Sequence, residues 1–209
     1  SVARLFSSLR RDERGLALTE FAFAAPIFIS LVLVGLELSN LALAHLRVSM
    51  MAMTVADNAG RVSSGIDEAN VYEVFAGAEV NASGLGFKPN GRIVLSSLEH
   101  NGKTGRDEGQ TIVWQRCWGD SRSITPAYGV EGDGKDDDDL EDGLGAGGNN
   151  ITALPDTAVM FVEATYDYQP LVDTGFFDPP TIRYESAFNV RGRQNNEISN
   201  TQNLDEMDC

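Results

Sequence analysis

Positive charge is scarce in this chain of 209 residues: Lys and Arg number 16 against 31 Asp and Glu, a formal net charge of −15. Beyond the first residues there is no basic stripe or Lys/Arg cluster, so no nucleic-acid partner is expected, because this surface would repel its phosphates. Histidine and cysteine are equally sparse, at two each. His45 and His100 lie in no recognisable nucleophile, metal or phosphate motif. Carboxylates are plentiful, but abundance alone assigns no acid–base pair. The chain is therefore not expected to be an enzyme or to carry a cofactor.

Charge is also missing from one long run. In the first 15 residues four Arg outweigh Asp12 and Glu13 to give +2, which leaves −17 for everything after Gly15. From Leu16 to Leu36, LALTEFAFAAPIFISLVLVGL, the 21 residues contain a single charge, Glu20. A helix of that length spans a ~30 Å hydrocarbon core at ~1.5 Å per residue. The positive residues before it predict a cytoplasmic N-terminus and an acidic remainder outside the inner membrane. A signal peptide competes with this reading, but the run is longer than a usual signal core. Its nearest cleavage match, Ala42-Leu43-Ala44, sits inside a continuing helical pattern.

Neither Pro nor Gly interrupts residues 36 to 59, so one helix is expected from Leu16 to about Gly60. Leu41, His45, Val48, Ala52, Val55, Ala59 and Val62 recur at spacings of four and three, a stripe on one face. Two readings of that stripe stand: a face packed on the protein's own globular part, or a small-residue face for packing between copies in a filament. Glu20, about one turn into the apolar run, costs several kcal/mol in lipid unless it meets a cation or is protonated. Snorkelling to the interface is the ordinary alternative.

A basic leader, Gly15, four residues, Glu20, Phe21 and an apolar run resemble a type IV prepilin-like N-terminus. More closely, Gly15, Glu20, Phe21, Ala22 and Pro26 resemble the leader-G-x-x-x-x-E-F-A-x-x-x-P block of the TadE/TadF-like family, minor pilins or pseudopilins of tight-adherence (Flp) pili. TIVWQRCWG at 111–119, the YDYQPL run at 166–171 and SAFNVRGRQNNEI at 186–198 are similar to its alphaproteobacterial members. The resemblance implies cleavage by a prepilin peptidase between Gly15 and Leu16. It further implies a major Flp-type pilin, a second TadE/TadF-like minor pilin and the pilus assembly machinery as partners. Cleavage would create an α-amino group on Leu16, and Glu20, one helical turn on, could offset an ammonium of its own or an adjacent subunit. Pro26 is a kink that a membrane helix tolerates. The different-class alternative is a permanently anchored periplasmic binding module, which could depend on calcium.

The expected fold class is α+β: the long N-terminal helix packed on a small antiparallel sheet. The segments are a leader at 1–15, the helix at 16–64 with its membrane span near 16–36, and an external domain at 65–209. Asp67 is a plausible N-cap for a helix over 67–80 bearing Val71, Val74, Phe75 and Ala78. Strands are expected at Arg92–Leu98, Thr111–Trp118, Ala158–Tyr168 and Ile182–Val190, the first two forming a hairpin. Trp114, Trp118, Tyr166 and Tyr168 read as sheet packing or an interaction surface.

An acidic, Gly-rich loop occupies 130–150. Between Glu131 and Asp142 eight acids face one Lys135, and six Gly fall between 132 and 148. Self-repulsion and glycine predict a solvated loop with no ordered fold unless a counterion intervenes. Calcium is the functional alternative, although Leu140 stands at the third position of the only EF-hand-like frame, the one ending at Gly143. Outside the cytoplasm, Cys117 and Cys209 are expected to form a disulfide that pins the polar stretch NNEISNTQNLDEMD to the sheet. Free thiols, or a bond between subunits, are the other possibilities.

Overall fold

A computed structural model describes residues 14–63, 65–172, 178–192 and 195–209. A single helix, α1, occupies Arg14–Arg61, matching the uninterrupted run of helix-compatible residues. The chain divides into two compact units, Ser1–Ala42 with Pro170–Thr174, and Leu43–Gln169 with Gly175–Cys209. α1 contributes its first part to one unit and its second part to the other. In the first unit its large apolar side chains are exposed from Leu16 to Leu38.

In the second unit the same helix has one dry face. Ala44, Val48, Met51, Ala52, Val55, Ala56 and Ala59 are fully buried. Of the two readings of the stripe, the one the structure has at Val48, Ala52, Val55 and Ala59 is packing on the chain's own domain. Small side chains let the helix approach closely, and the main chain joins in: the Gly60 carbonyl accepts the Arg191 N–H at 3.1 Å. β1 (Ile66–Asp67) leads into α2 (Glu68–Asn81), and a short α3 (Phe87–Asn90) follows. Asp67 is the N-cap: its carboxylate accepts the Ala69 N–H at 3.1 Å, while the Asn70 side chain accepts the Asp67 N–H at 3.0 Å.

The sheet comprises β2 (Gly91–His100), β3 (Gln110–Trp118), β4 (Ala158–Asp167) and β5 (Thr181–Asn189). All its pairings are antiparallel, in the order β3-β2-β4-β5. β2 and β4 lie between neighbours and are buried along nearly their whole length. Strand alternation therefore gives the sheet two covered faces. On the first, Trp118 and Tyr166 flank Phe87 with ring centroids 5.8 and 5.6 Å away, and Tyr184 meets His45 from α1. On the second, Leu98, Ile112, Val159 and Phe161 pack with Leu144 and Ala153 from the long irregular connection between β3 and β4. The four expected strands are present to within a residue or two at each end. The two-residue parallel pair of β1 with β6 (Ile198–Ser199) is additional.

The acidic loop corrects the sequence expectation. Most of its charges are exposed, but its backbone is docked on the outer edge of β3. Gly132 donates to the Ile112 carbonyl at 2.8 Å, Ile112 to that of Asp133 at 3.1 Å, and Gln110 to that of Leu140 at 3.3 Å. The Asn101 side chain donates to the Gly134 and Asp137 carbonyls at 3.0 and 3.2 Å. Leu140, the residue that spoils the calcium-loop spacing, packs half-buried against the second-face core, and Leu144 is buried in it. Two of the glycines serve close approach rather than looseness. At Gly134 (φ 72°) and Gly143 (φ 80°) a Cβ would collide with the carbonyls of Gln110 and Ile151. Removing the Leu144 anchor by Leu144→Ala is expected to cost about 2–4 kcal/mol of domain stability. Chemical denaturation of the full chain in detergent measures it; a loss below about 0.5 kcal/mol, the size of a surface substitution, would contradict this packing.

Candidate functional site

Two features stand out: an apolar helix surface that the described residues leave uncovered, and a set of buried charges that fix the tail and the long connection on the sheet. The first carries the residues singled out from sequence. Residues 1–13, most of the basic leader, lie outside the described residues. Gly15 is in the first turn of α1, and an added Cβ there would meet nothing within 4 Å, so no packing among the described residues requires glycine. Leu16 and Phe21 are 58% and 68% exposed, and Glu20 and Pro26 are exposed as well. At 3.6 residues per turn, Leu16 and Glu20 are neighbours on one face, whereas Pro26 lies about a quarter turn round the helix from them. The block is therefore not one surface. Pro26 removes an N–H from the ladder, and Ser30 Oγ donates to its carbonyl at 2.7 Å.

The exposed apolar residues from Leu16 to Leu38 are distributed all round the helix, which is long and apolar enough to cross a membrane. A helix apolar on every side is stable where lipid or other apolar surface surrounds it. That is what this half of α1 can do: sit in a bilayer or among other helices.

The second feature is centred on β3. Cys117 and Cys209 are joined, with Cα atoms 4.9 Å apart, as expected from sequence. The tail runs along the outer edge of β3, where Cys117 donates its N–H to the Met207 carbonyl at 2.7 Å. Arg92 donates to the Cys209 main-chain oxygen at 2.6 Å, and Tyr72 to that of Asp205 at 2.7 Å. Trp114 Nε1 donates to the Asn196 carbonyl at 3.2 Å, so Trp114 and Trp118 are both buried parts of this packing.

Beside Cys117, the nearly buried Arg116 donates through Nε and an Nη to Glu68 Oε1 at 2.8 and 2.6 Å. Glu131 from the acidic loop and Glu206 from the tail reach the same guanidinium at 3.0 and 3.5 Å. Burial works against the Arg116 charge, but the Glu68 carboxylate outweighs it and the pKa rises further. Sequence reasoning missed this pair. The only available signal was a charged residue inside a strand of otherwise bulky residues.

On the other face, Glu163 in β4 is directly opposite Glu185 in β5. Glu163 accepts the Ala127 N–H at 3.0 Å; Glu185 accepts the Ala146 N–H at 3.1 Å and a hydrogen bond from the Tyr128 hydroxyl. These carboxylates hold both shoulders of the long connection. Burial pushes Glu163 from its ordinary 4.5 up to about 7. Burial and then the Glu185 contact push the Tyr128 hydroxyl well above its usual range.

His45 is half-buried, with Nδ1 3.2 Å from the Tyr184 hydroxyl, while His100 accepts the Gly102 N–H at 3.0 Å and lies 3.6 Å from Glu108. Among the described residues no three Asp, Glu, His or Cys side chains are grouped as a metal site requires. Comparison of the chain with family models, with curated proteins and with solved structures returns no match.

Arg116→Leu leaves Glu68 buried without its partner and is expected to cost about 3–5 kcal/mol, whereas the double replacement Glu68→Leu/Arg116→Leu should cost much less. Denaturation of all three chains in detergent checks this; equal losses for the single and double variants would contradict it. Glu163 gives a pH signature. Its folded pKa exceeds the unfolded value, so the folded chain holds an extra proton between about 4.5 and 7. Stability is then greatest below that window and falls as pH rises through it, by up to about 3 kcal/mol. Glu163→Gln should flatten this part of the profile. An unchanged slope in the variant would assign the pH dependence elsewhere.

Proposed function

We propose that this chain is a minor pilin or pseudopilin that takes part in assembling a tight-adherence (Flp, type IV-like) pilus. In this reading α1 holds the subunit in the bacterial inner membrane, with a cytoplasmic N-terminus and a periplasmic domain. The observation that carries it is one helix with two kinds of surface: apolar and exposed all round from Leu16 to Leu38, one-sided and buried from Ala44 to Ala59. A subunit built this way can be stored in lipid and then exchange lipid for the helices of its neighbours without rebuilding its domain.

Glu20 supports the same reading. It is the one carboxylate between Leu16 and Leu36, one turn from Leu16, and its side chain is exposed. Hydrolysis of the Gly15–Leu16 peptide bond by a prepilin peptidase would release the basic leader and leave an ammonium on Leu16. That ammonium, or the one on an adjacent subunit, then gives Glu20 a partner inside an apolar bundle, where a charge without a partner is expensive. The open surroundings of Gly15 suit a residue kept for an enzyme's access rather than for packing. The major Flp-type pilin, a second TadE/TadF-like minor pilin and the assembly machinery are the partners. Once assembled, the chain would reach the cell-surface pilus.

N-terminal sequencing of the protein from cells with and without the peptidase tests the reading. A start at Leu16 that depends on the enzyme is expected; a leader retained in wild-type cells would favour a permanently anchored periplasmic binding module. Glu20→Ala should leave membrane insertion intact and lower the subunit's recovery in sheared pili by about tenfold or more, corresponding to loss of a pair worth ~1.4 kcal/mol or more. Normal recovery would remove the role given to Glu20.

A further inference from the structure

The apolar surface of the first unit is not confined to its helix. Beside the last exposed turns of α1, where Leu36 and Leu38 are 55% and 62% exposed, the chain returns as Pro170, Leu171 and Val172. Leu171 is 64% and Val172 39% exposed. Between Leu36 and Leu38 stands Glu37, whose Oε2 accepts the Leu171 N–H at 2.9 Å and the Val172 N–H at 3.3 Å. Pro170 has no N–H to satisfy. Three consecutive residues outside any helix or strand thus offer apolar side chains while none of their amide donors is left unmet. With its donors met, such a segment can approach the interface, where its carbonyls still reach water and headgroups, at less cost than one with bare amides.

We propose that Pro170–Val172 is a second membrane contact, seated at the headgroup–acyl boundary of the bilayer that α1 enters, with Glu37 as its positioning residue. The proposal rests on α1 being the membrane span. Position along the helix favours lipid as the occupant. Glu37 lies 21 residues beyond Leu16, about 30 Å at 1.5 Å per residue and so one hydrocarbon thickness. The exposed pair therefore continues the exposed surface of the span at its outer boundary. A carboxylate at that depth lies within the polar headgroup layer, where it organises the loop through the Leu171 and Val172 amides.

Tryptophan fluorescence of the full chain in phosphatidylcholine/phosphatidylglycerol vesicles, brominated either near the headgroups or near the bilayer centre, tests this. The unsubstituted chain, with Trp114 and Trp118 buried, provides the background. Leu171→Trp should add emission that headgroup-side bromines roughly halve, that central bromines affect little and that aqueous iodide quenches only weakly. Leu31→Trp, in the middle of the span, should be quenched by the central bromines instead. If Leu31→Trp behaves so and Leu171→Trp is quenched by iodide alone, the second contact is wrong and the span stands. Shielding of Leu171→Trp from both quenchers would mean that protein covers it, which also overturns the proposal. Failure of lipid to quench Leu31→Trp removes the span itself. Adding Glu37→Ala to Leu171→Trp should raise iodide quenching about twofold, while Glu37→Gln, which keeps an acceptor oxygen, should not. No change with Glu37→Ala would overturn the positioning role.

Discussion

A helix whose side chains are apolar on every face has no stable place in water, and the first half of α1 is such a helix. The second half obeys a different rule, with one face in contact with its own domain and the rest exposed. One continuous element must therefore satisfy two surroundings at once. The change from apolar all round to one-sided comes between Leu38 and Ala44, within two turns of the end of the exposed apolar run. Nothing in the backbone marks it. The break is in side-chain chemistry alone, and the location, processing and assembly proposed for the chain all depend on it.

The domain solves a second problem, the open edge of a four-stranded sheet. β3 is an edge strand, and an unpaired edge invites uncontrolled pairing with other chains. Here two acidic segments cover it: the loop at 131–142 by main-chain bonds to Gln110 and Ile112, the tail by the Met207 carbonyl and the Cys117–Cys209 bond. Both segments bring carboxylates, Glu131 and Glu206, to Arg116, and Glu68 meets the same guanidinium from α2. The net negative charge is thus partly an edge cover with the buried Arg116 guanidinium at its centre. Closing a long loop through the disulfide also restricts the unfolded chain, so the cover is kept on both thermodynamic and covalent grounds.

What the sequence made legible follows from period and punctuation. The long helix was readable because no Gly or Pro interrupts 36–59. The helix capped by Asp67 was readable because a capping residue precedes a 3.6-residue apolar period, and the four strands because bulky residues cluster between turn formers. The Cys117–Cys209 pairing was readable from the even number of cysteines and the external placement expected from the charge pattern. The docking of the acidic loop was not, because composition reports exposed side chains and is silent on where a backbone finds hydrogen bonds. Leu140 looked like a defect in a calcium loop and is instead its apolar anchor. The Arg116–Glu68 pair and the opposed Glu163 and Glu185 come from distant parts of the chain. Only register brings the two glutamates face to face, and only tertiary packing sets Glu68 on Arg116. Of the N-terminal block, Leu16 and Glu20 share a face as their spacing implies, and Pro26 does not join them.

The central claim, that the first half of α1 lives in lipid while the rest of the chain folds around the second half, is most directly tested by alkaline carbonate extraction of membranes from cells making the full chain. The account predicts that the protein stays in the membrane pellet and that Val32→Lys, in the middle of the span, releases it in folded form. Recovery of the unsubstituted chain as a folded protein in the carbonate supernatant would contradict it.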